Sequence, residues 1–555
     1  MIPEERFSNI QSRYDLIIVG GGIYGAALLW AATLRGLSAI LIEKGDFSGG
    51  TSANSLKTIH GGIRYLQNLD LPRIRESVVE RRTLMQIAPH LIHPLPCVTP
   101  TYGRLKESRW LYAAAFRIYD VLSADRNRGA APDKEIPSGA LLSLSECQKL
   151  IPGLDANHAT GGAAWHDAQA YDSERLVLSF VMSARERGAE ALNYVEMTEW
   201  IVRNNRVIGV KGQDLITGRT LEIMGDVTVN STGPWINEVD EKLHDGTRGE
   251  RFAFARAVNI VIPRKISAHA FALRGGTEAP GKVKQNRLFF FAPWRDTTLI
   301  GTWYFPEGVS SEAASLSEAE FKSCIGDIQS VYGAAEISGD EVTFVHLGRV
   351  PLKSRNDHRT ELPLSRHYRL IDHGRQGGPS GAYSVLGVKY TTARDVAEKT
   401  LEFISRRNGI KLGPPLSRST ALYGGEMPHF KSYLEERLRL NRLALPPQAV
   451  THLVKSYGTG YEKIEKLCLR DEGLQAFVPG SDDTVKGAVI YSLRNEFTRS
   501  LSDLVLRRTG LGSRGKPKKE AIDYCTQAMG RALEWSKARA EAEQAALLRT
   551  YTQVH

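Results

Sequence analysis

A short apolar run that stops at three consecutive glycines constrains this chain more than any other feature. Leu16 to Val19 is too short for a helix and meets Gly20-Gly21-Gly22, the pattern of a buried parallel strand entering a tight turn. Gly20, Gly22 and Gly25 fit G-x-G-x-x-G: the first allows the turn, the second lets a pyrophosphate approach the backbone, and the third lets the next helix pack on the strand. That helix, read from Ile23 to Arg35, points the N–H groups of its first turn, Ile23 and Tyr24 included, at the phosphates. After Gly36 a second strand, Ser38 to Ile42, ends in Glu43, a carboxylate placed for ribose hydroxyls, with Lys44 beside it. Strand, glycines, helix, strand and terminal acid in this order predict a dinucleotide site. They do not separate FAD from NAD.

The next twenty residues are more specialised. Thr51-Ser52-Ala53-Asn54-Ser55-Leu56-Lys57 and His60-Gly61-Gly62-Ile63-Arg64-Tyr65-Leu66 resemble the signature of FAD-dependent glycerol-3-phosphate dehydrogenases of the bacterial, aerobic type. In that family a small polar run precedes a lysine and an HGG-[apolar]-RYL box. Val227 to Trp235 resembles the family's V-N-[AS]-T-G-P-W element, Gly387 to Thr392 its turn at the flavin, and Arg494 to Thr509 its C-terminal helical cap. The resemblance therefore runs from about Tyr14 to the final helix.

It implies an α/β fold: a Rossmann-type FAD-binding domain over 10–412 interleaved with a β-sheet substrate domain (about 90–165 and 236–345), then a C-terminal α-helical domain over 413–555. The Gly/Pro break Lys411-Leu412-Gly413-Pro414-Pro415 marks that last boundary. FAD is the implied cofactor, held non-covalently by Gly20, Gly22, Ile23, Tyr24, Gly25, Glu43, Lys44, Thr51, Ser52, Lys57, His60, Gly61, Gly62, Thr232, Gly233, Gly387, Lys389, Tyr390 and Thr391. Substrate falls to Arg64, Tyr65, Asn259, Arg366 and Lys389. A flavin takes hydride from an alcohol carbon while a base removes the hydroxyl proton, and arginine forks suit a phosphate end.

Three positions depart from the family pattern. Arg256-Ala257-Val258-Asn259 stands where the family has K-G-S-H, and an asparagine cannot act as a base near neutral pH. Gly348-Arg349-Val350-Pro351-Leu352 replaces G-V-R-P-L, which turns Arg349 to the other strand face if register is kept. Gly301-Thr302-Trp303-Tyr304 replaces G-T-T-D and adds two aromatics to the expected site. These changes suit a larger or less densely charged alcohol, with Lys389, His60 or water left to take the proton.

Elsewhere the pattern predicts an amphipathic helix from Leu71 to His90, a core helix from Trp110 to Ala124, a β-rich piece from Phe289 to Trp303, and a last helix from Lys519 to Arg549. A net charge of +10 favours acidic ligands or an anionic lipid surface, but no nucleic-acid module accompanies it. Five scattered cysteines without C-x-x-C argue against zinc or a disulfide framework and for a reducing compartment. The N-terminus lacks a signal peptide's apolar core and no run spans a bilayer, so a cytoplasmic protein, peripheral at most on the inner membrane face, is expected. The resemblance adds a phosphorylated alcohol substrate, a quinone or similar acceptor, and a homodimer. An amine or amino-acid oxidase on the same architecture is the competing enzyme, and a non-catalytic flavin-binding module the competing class.

Overall fold

The computed structural model describes residues 6–103, 108–155, 157, 159–244, 250–275, 287–307, 315–353 and 362–552. Strand β1 (Tyr14–Val19), helix α1 (Ile23–Leu34) and strand β2 (Ala39–Glu43) form the opening unit. β1 lies between β2 and Thr220–Asn230, parallel to both. The eight-stranded first sheet continues through Ala382–Leu386 and Arg369–Asp372 on one side and Glu190–Asn193 on the other. Leu16 and Ile18 face one core, with α1, Ser173–Arg185 and Ala393–Asn408; Ile17 and Val19 face another, with Trp200, Val207 and Val210. A strand buried on both faces has no polar alternation, which is why it reads as a continuous apolar run. The hairpin Val195–Arg203/Arg206–Asp214 turns through Asn204 and Asn205 at φ 50° and 55°, the left-handed region that asparagine tolerates.

The nine-stranded second sheet is mostly antiparallel, in the order Phe344–Pro351, Phe254–Ile262, Thr297–Pro306, Arg287–Trp294, Ala270–Gly275, Ile92–Tyr102, Ala159–Ala170 and Thr58–Ile59, with Ala140–Leu142 on the side. Its strands come in two blocks, 58–170 and 254–351, each lying between strands of the first sheet, so the chain crosses between layers repeatedly. Phe289 to Trp303 is two strands of a hairpin rather than one piece, because Asp296 and Arg295 (φ 57°) turn the chain. From Phe430 onward the chain is helical, and two apolar clusters, one around Leu453 and Tyr461 and one around Leu504 and Cys525, hold it together. The stretch from Lys519 to Arg549 is two helices, Lys519–Leu533 and Lys537–Arg549: Glu534 takes φ 54° and Ser536 accepts from the N–H of Arg539 as a new N-cap.

Helix α2 (Leu71–Ile87) starts at Asp70, whose side chain accepts from the N–H of Arg73. Helix α3 (Arg109–Leu122) corrects the expectation of a core helix. Only Phe116 and Tyr119 are buried, while Trp110 is 84% and Val121 78% exposed. Apolar content shows that a surface avoids water; it does not show whether this chain supplies the cover.

Candidate functional site

The glycine turn is built to let another molecule close. Gly20, at φ 106°, donates its N–H to Ile42 O at 2.8 Å and so ties the turn to β2. A Cβ on Gly25 would stand 1.9 Å from Gly20 O, so only glycine lets α1 pack on β1. At Gly22 the only close neighbour of such a Cβ is Ser52 Oγ at 3.3 Å, and Ser52 accepts from the N–H of Ile23. Glu43 accepts from the N–H of Gly21 at 2.6 Å and of Gly45 at 2.8 Å, and burial pushes its carboxyl above the usual range. Tyr24 Oη donates to Lys389 O and accepts from the N–H groups of Val388 and Lys389, locking the first turn of α1 to the turn at Gly387.

One cavity of about 2040 Å³ joins this turn to the expected substrate residues. Its wall includes Gly20, Gly22, Ile23, Tyr24, Glu43, Lys44, Thr51, Ser52, His60, Gly62, Thr232, Gly233, Gly387 and Tyr390, and also Arg64, Tyr65, Asn259, Arg366 and Lys389. An open cradle at Gly22, backbone N–H groups at a helix start and an acid at the end of β2 fit a dinucleotide. Gly25, Gly61 and Thr391 stand behind the wall: Gly61 donates to Asp167 at 2.5 Å and Thr391 is buried. Lys57 also has another task. Its ammonium donates to Glu174 (2.8 and 2.9 Å), Ser173 and Ala53 O, so it pins the 51–57 loop to the helix Ser173–Arg185.

At the other end, Tyr65 is held between two cations. Arg73 Cζ lies 4.0 Å and Lys389 Nζ 4.4 Å from its ring centroid, and its Oη is 3.4 Å from His60 Nε2. Burial, then the charge of Arg73, lowers Lys389 to about 7. Burial, then Lys389, lowers His60 to about 4, while burial raises Tyr65 to about 12. Asn259 is buried and its Oδ1 accepts from Thr302 Oγ1 at 2.7 Å, which leaves its amide N–H₂ as a donor. Arg64 and Arg366, both exposed, line the cavity.

Two departures resolve differently. In the strand pairing, Asn259 stands opposite His346 and Arg256 opposite Arg349, which puts Arg349 out of phase with Asn259; Arg349 still lines the cavity, over the Trp235 ring, with its guanidinium on Glu307. Val350, not Arg349, is in phase with Asn259. Trp303 does not join the site: it is buried against Phe289 with its indole N–H on Asp327, whereas Tyr304, one residue on and on the opposite face, lines the cavity. Sequence reading missed Arg73, which no motif flags, gave no role to Thr302 within its Gly301–Tyr304 segment, and missed the inner residues of α3, Leu111, Tyr112, Ala115 and Phe116, which line the same cavity.

The family described as FAD dependent oxidoreductase matches residues 15–377, and that described as the C-terminal domain of alpha-glycerophosphate oxidase matches residues 416–540. The glycerol-3-phosphate dehydrogenase of Synechocystis sp. is 31% identical over 516 residues, 91% of this chain and 90% of that protein. The mitochondrial glycerol-3-phosphate dehydrogenase of Homo sapiens is 27% identical over 94% of this chain and 71% of its own length. Among solved structures, the glycerol-3-phosphate dehydrogenase from Bacillus halodurans complexed with FAD covers 99% of this chain and 97% of its own, with a TM-score of 0.78 at 21% identity, a likeness of fold.

Proposed function

The chain belongs to the FAD-dependent oxidoreductases, in the glycerol-3-phosphate dehydrogenase family, and from that premise we propose that it oxidises glycerol 3-phosphate or a related phosphorylated polyhydroxy alcohol. The observation that carries this reading is the joining, in one cavity, of a dinucleotide turn with Arg64, Arg366, Asn259 and Lys389. Bound FAD supplies the hydride acceptor. Arg64 and Arg366 bind the phosphate, since planar forks match its oxygens two at a time. The Asn259 amide donates to the substrate's reacting hydroxyl oxygen and orients it. Lys389, in its neutral form, takes the hydroxyl proton; its ammonium position is set over the Tyr65 ring, and the charge of Arg73 favours the neutral form. His60 is the weaker candidate because a base lowered to about 4 holds a proton poorly at neutral pH.

Anaerobic mixing with glycerol 3-phosphate tests this. The yellow flavin spectrum is expected to bleach; an unchanged spectrum with glycerol 3-phosphate and with a panel of other phosphorylated polyols overturns the reading.

The acceptor and the membrane belong to the same proposal. Outward-facing Trp110, Ile118 and Val121, with Arg109 and Arg117 exposed beside them and a chain charge of +10, support a peripheral contact with an anionic bilayer. The opposite side of α3 lines the cavity, which supports a quinone or similar apolar acceptor reaching the site from the lipid. Five buried cysteines, none of them in a disulfide, support a cytoplasmic, reducing location. No helix among the described residues is long and apolar enough to cross a membrane.

A further inference from the structure

Among the described residues, the C-terminal helical region touches the cofactor cavity at one place. A single π-helical turn, Asp503–Arg508, carries Arg507 into the wall beside Lys44, Gly45, Asp46, Val195 and Met197. In a strand-turn-helix site the pyrophosphate sits at the glycine turn and the ribose at the acid closing the second strand, so the wall beyond Glu43 faces the adenosine half. Arg507 is held there by two carboxylates. Its Nε donates to Asp46 and its Nη2 to Asp503 at 2.8 Å, and its Nη1 has no partner among the described residues.

Both carboxylates are themselves fixed, on opposite sides of the junction. Asp46, three residues beyond Glu43, also takes both terminal nitrogens of Arg508 at 2.7 Å and the side-chain amide of Asn193 at 3.1 Å. Asp503 takes the N–H groups of Arg499 and Ser500 and the hydroxyl of Tyr194, whose own N–H donates to Gly45 O. Phe47 packs edge-on to Phe497 at 5.2 Å between centroids. The 43–48 segment is thus floor to the cavity on one side and a socket for the C-terminal region on the other.

We propose that Arg507 is a cofactor-binding residue, directed at the adenosine half of FAD, and that the C-terminal helical region closes that end of the site through it. Dinucleotide binding and docking of this region then stabilise each other, because a ligand that contacts both favours the state in which they are joined. The flavin half, held by the turns at Gly62 and Gly387, does not take part.

The test uses the full-length chain freed of flavin, titrated separately with FAD, ADP and riboflavin, and rests on FAD being the cofactor. Arg507→Met is expected to bind FAD and ADP roughly tenfold more weakly, the effect of losing one charge-assisted contact, and riboflavin as before. Arg507→Lys keeps a cation between Asp46 and Asp503 should the first variant misfold; it is expected to lose about threefold in ADP affinity, the planar fork being gone. In the wild type, ADP but not riboflavin is expected to slow amide hydrogen exchange across residues 500–509. Wild-type ADP affinity in both variants, equal loss of ADP and riboflavin, or exchange unmoved by ADP each overturns the proposal. Failure of the wild type to bind any flavin overturns the FAD reading instead, and this inference with it.

Discussion

Lys389 is the residue on which the proton's route turns. Its Nζ sits on the Tyr65 ring, with Ser77 Oγ 3.5 Å away, and is lowered to about 7 by burial and Arg73. A base works only once its own proton has left, so kcat/KM is expected to rise with pH through a limb near pH 7. Lys389→Met is expected to lower kcat/KM by about 10²–10⁴ and to abolish that limb; a retained limb assigns the proton to another group. Arg64→Ala and Arg366→Ala are each expected to cost on the order of tenfold to a hundredfold in kcat/KM with glycerol 3-phosphate, and less with an unphosphorylated polyol. Steady-state comparison of the two substrates reads this directly. That Arg64, Tyr65 and Lys389 line one cavity was legible because each lies inside a contiguous motif. Lys57 was legible as a wall residue but its ion pair was not: its partner Glu174 is far along the chain, and no local pattern says that a lysine after a small polar run is buried against it. Trp303 was misread because the strand phase that buries it is set by pairing with Phe254–Ile262, which single residues do not announce.

The opening element, β1 through β2, was legible almost to the residue, since its glycines are needed for three separable reasons. That separation is testable. Gly25→Ala is expected to disrupt folding, its methyl falling 1.9 Å from a backbone oxygen. Gly22→Ala is expected to fold, with a melting midpoint near wild type, but to be purified with little flavin, because the only close neighbour of its methyl is Ser52 Oγ, at 3.3 Å, and the space it takes is the ligand's. Absorbance at the flavin band together with thermal unfolding decides between them. Helix α3 was legible as a helix and misread as core. Trp110→Ser combined with Val121→Ser is expected to lower co-sedimentation with anionic vesicles at least severalfold while leaving anaerobic bleaching intact, since neither side chain lines the cavity. Unchanged co-sedimentation counts against α3 as the contact.

At the scale of the whole molecule, the junction at Asp46 sets an acid limit. Burial alone would raise this carboxyl, but Arg508 and Arg507 outweigh it and hold it at about 2, below the 3.8 of a free side chain. Its stabilising contribution is therefore complete above about pH 3.8 and is lost as pH falls towards 2. Asp46→Asn is expected to cost roughly 3–5 kcal/mol at about pH 5, since two buried arginines lose their partner, and the gap to wild type in urea unfolding is expected to narrow below about pH 4. The sheets bear on a different matter, the making of the protein. β1 emerges before the other strands of its sheet, yet one of its two neighbours, Thr220–Asn230, arrives only after the intervening layer, and that strand's own partner is Ala382–Leu386. At ribosomal speeds of about 5–20 residues per second, the wait from the one to the other is on the order of ten seconds. For that interval the buried end of this strand, Val227 to Asn230, has an edge open to water, so the nascent chain is a client for chaperones, and slow codons placed before residue 382 would lengthen its exposure rather than help it fold.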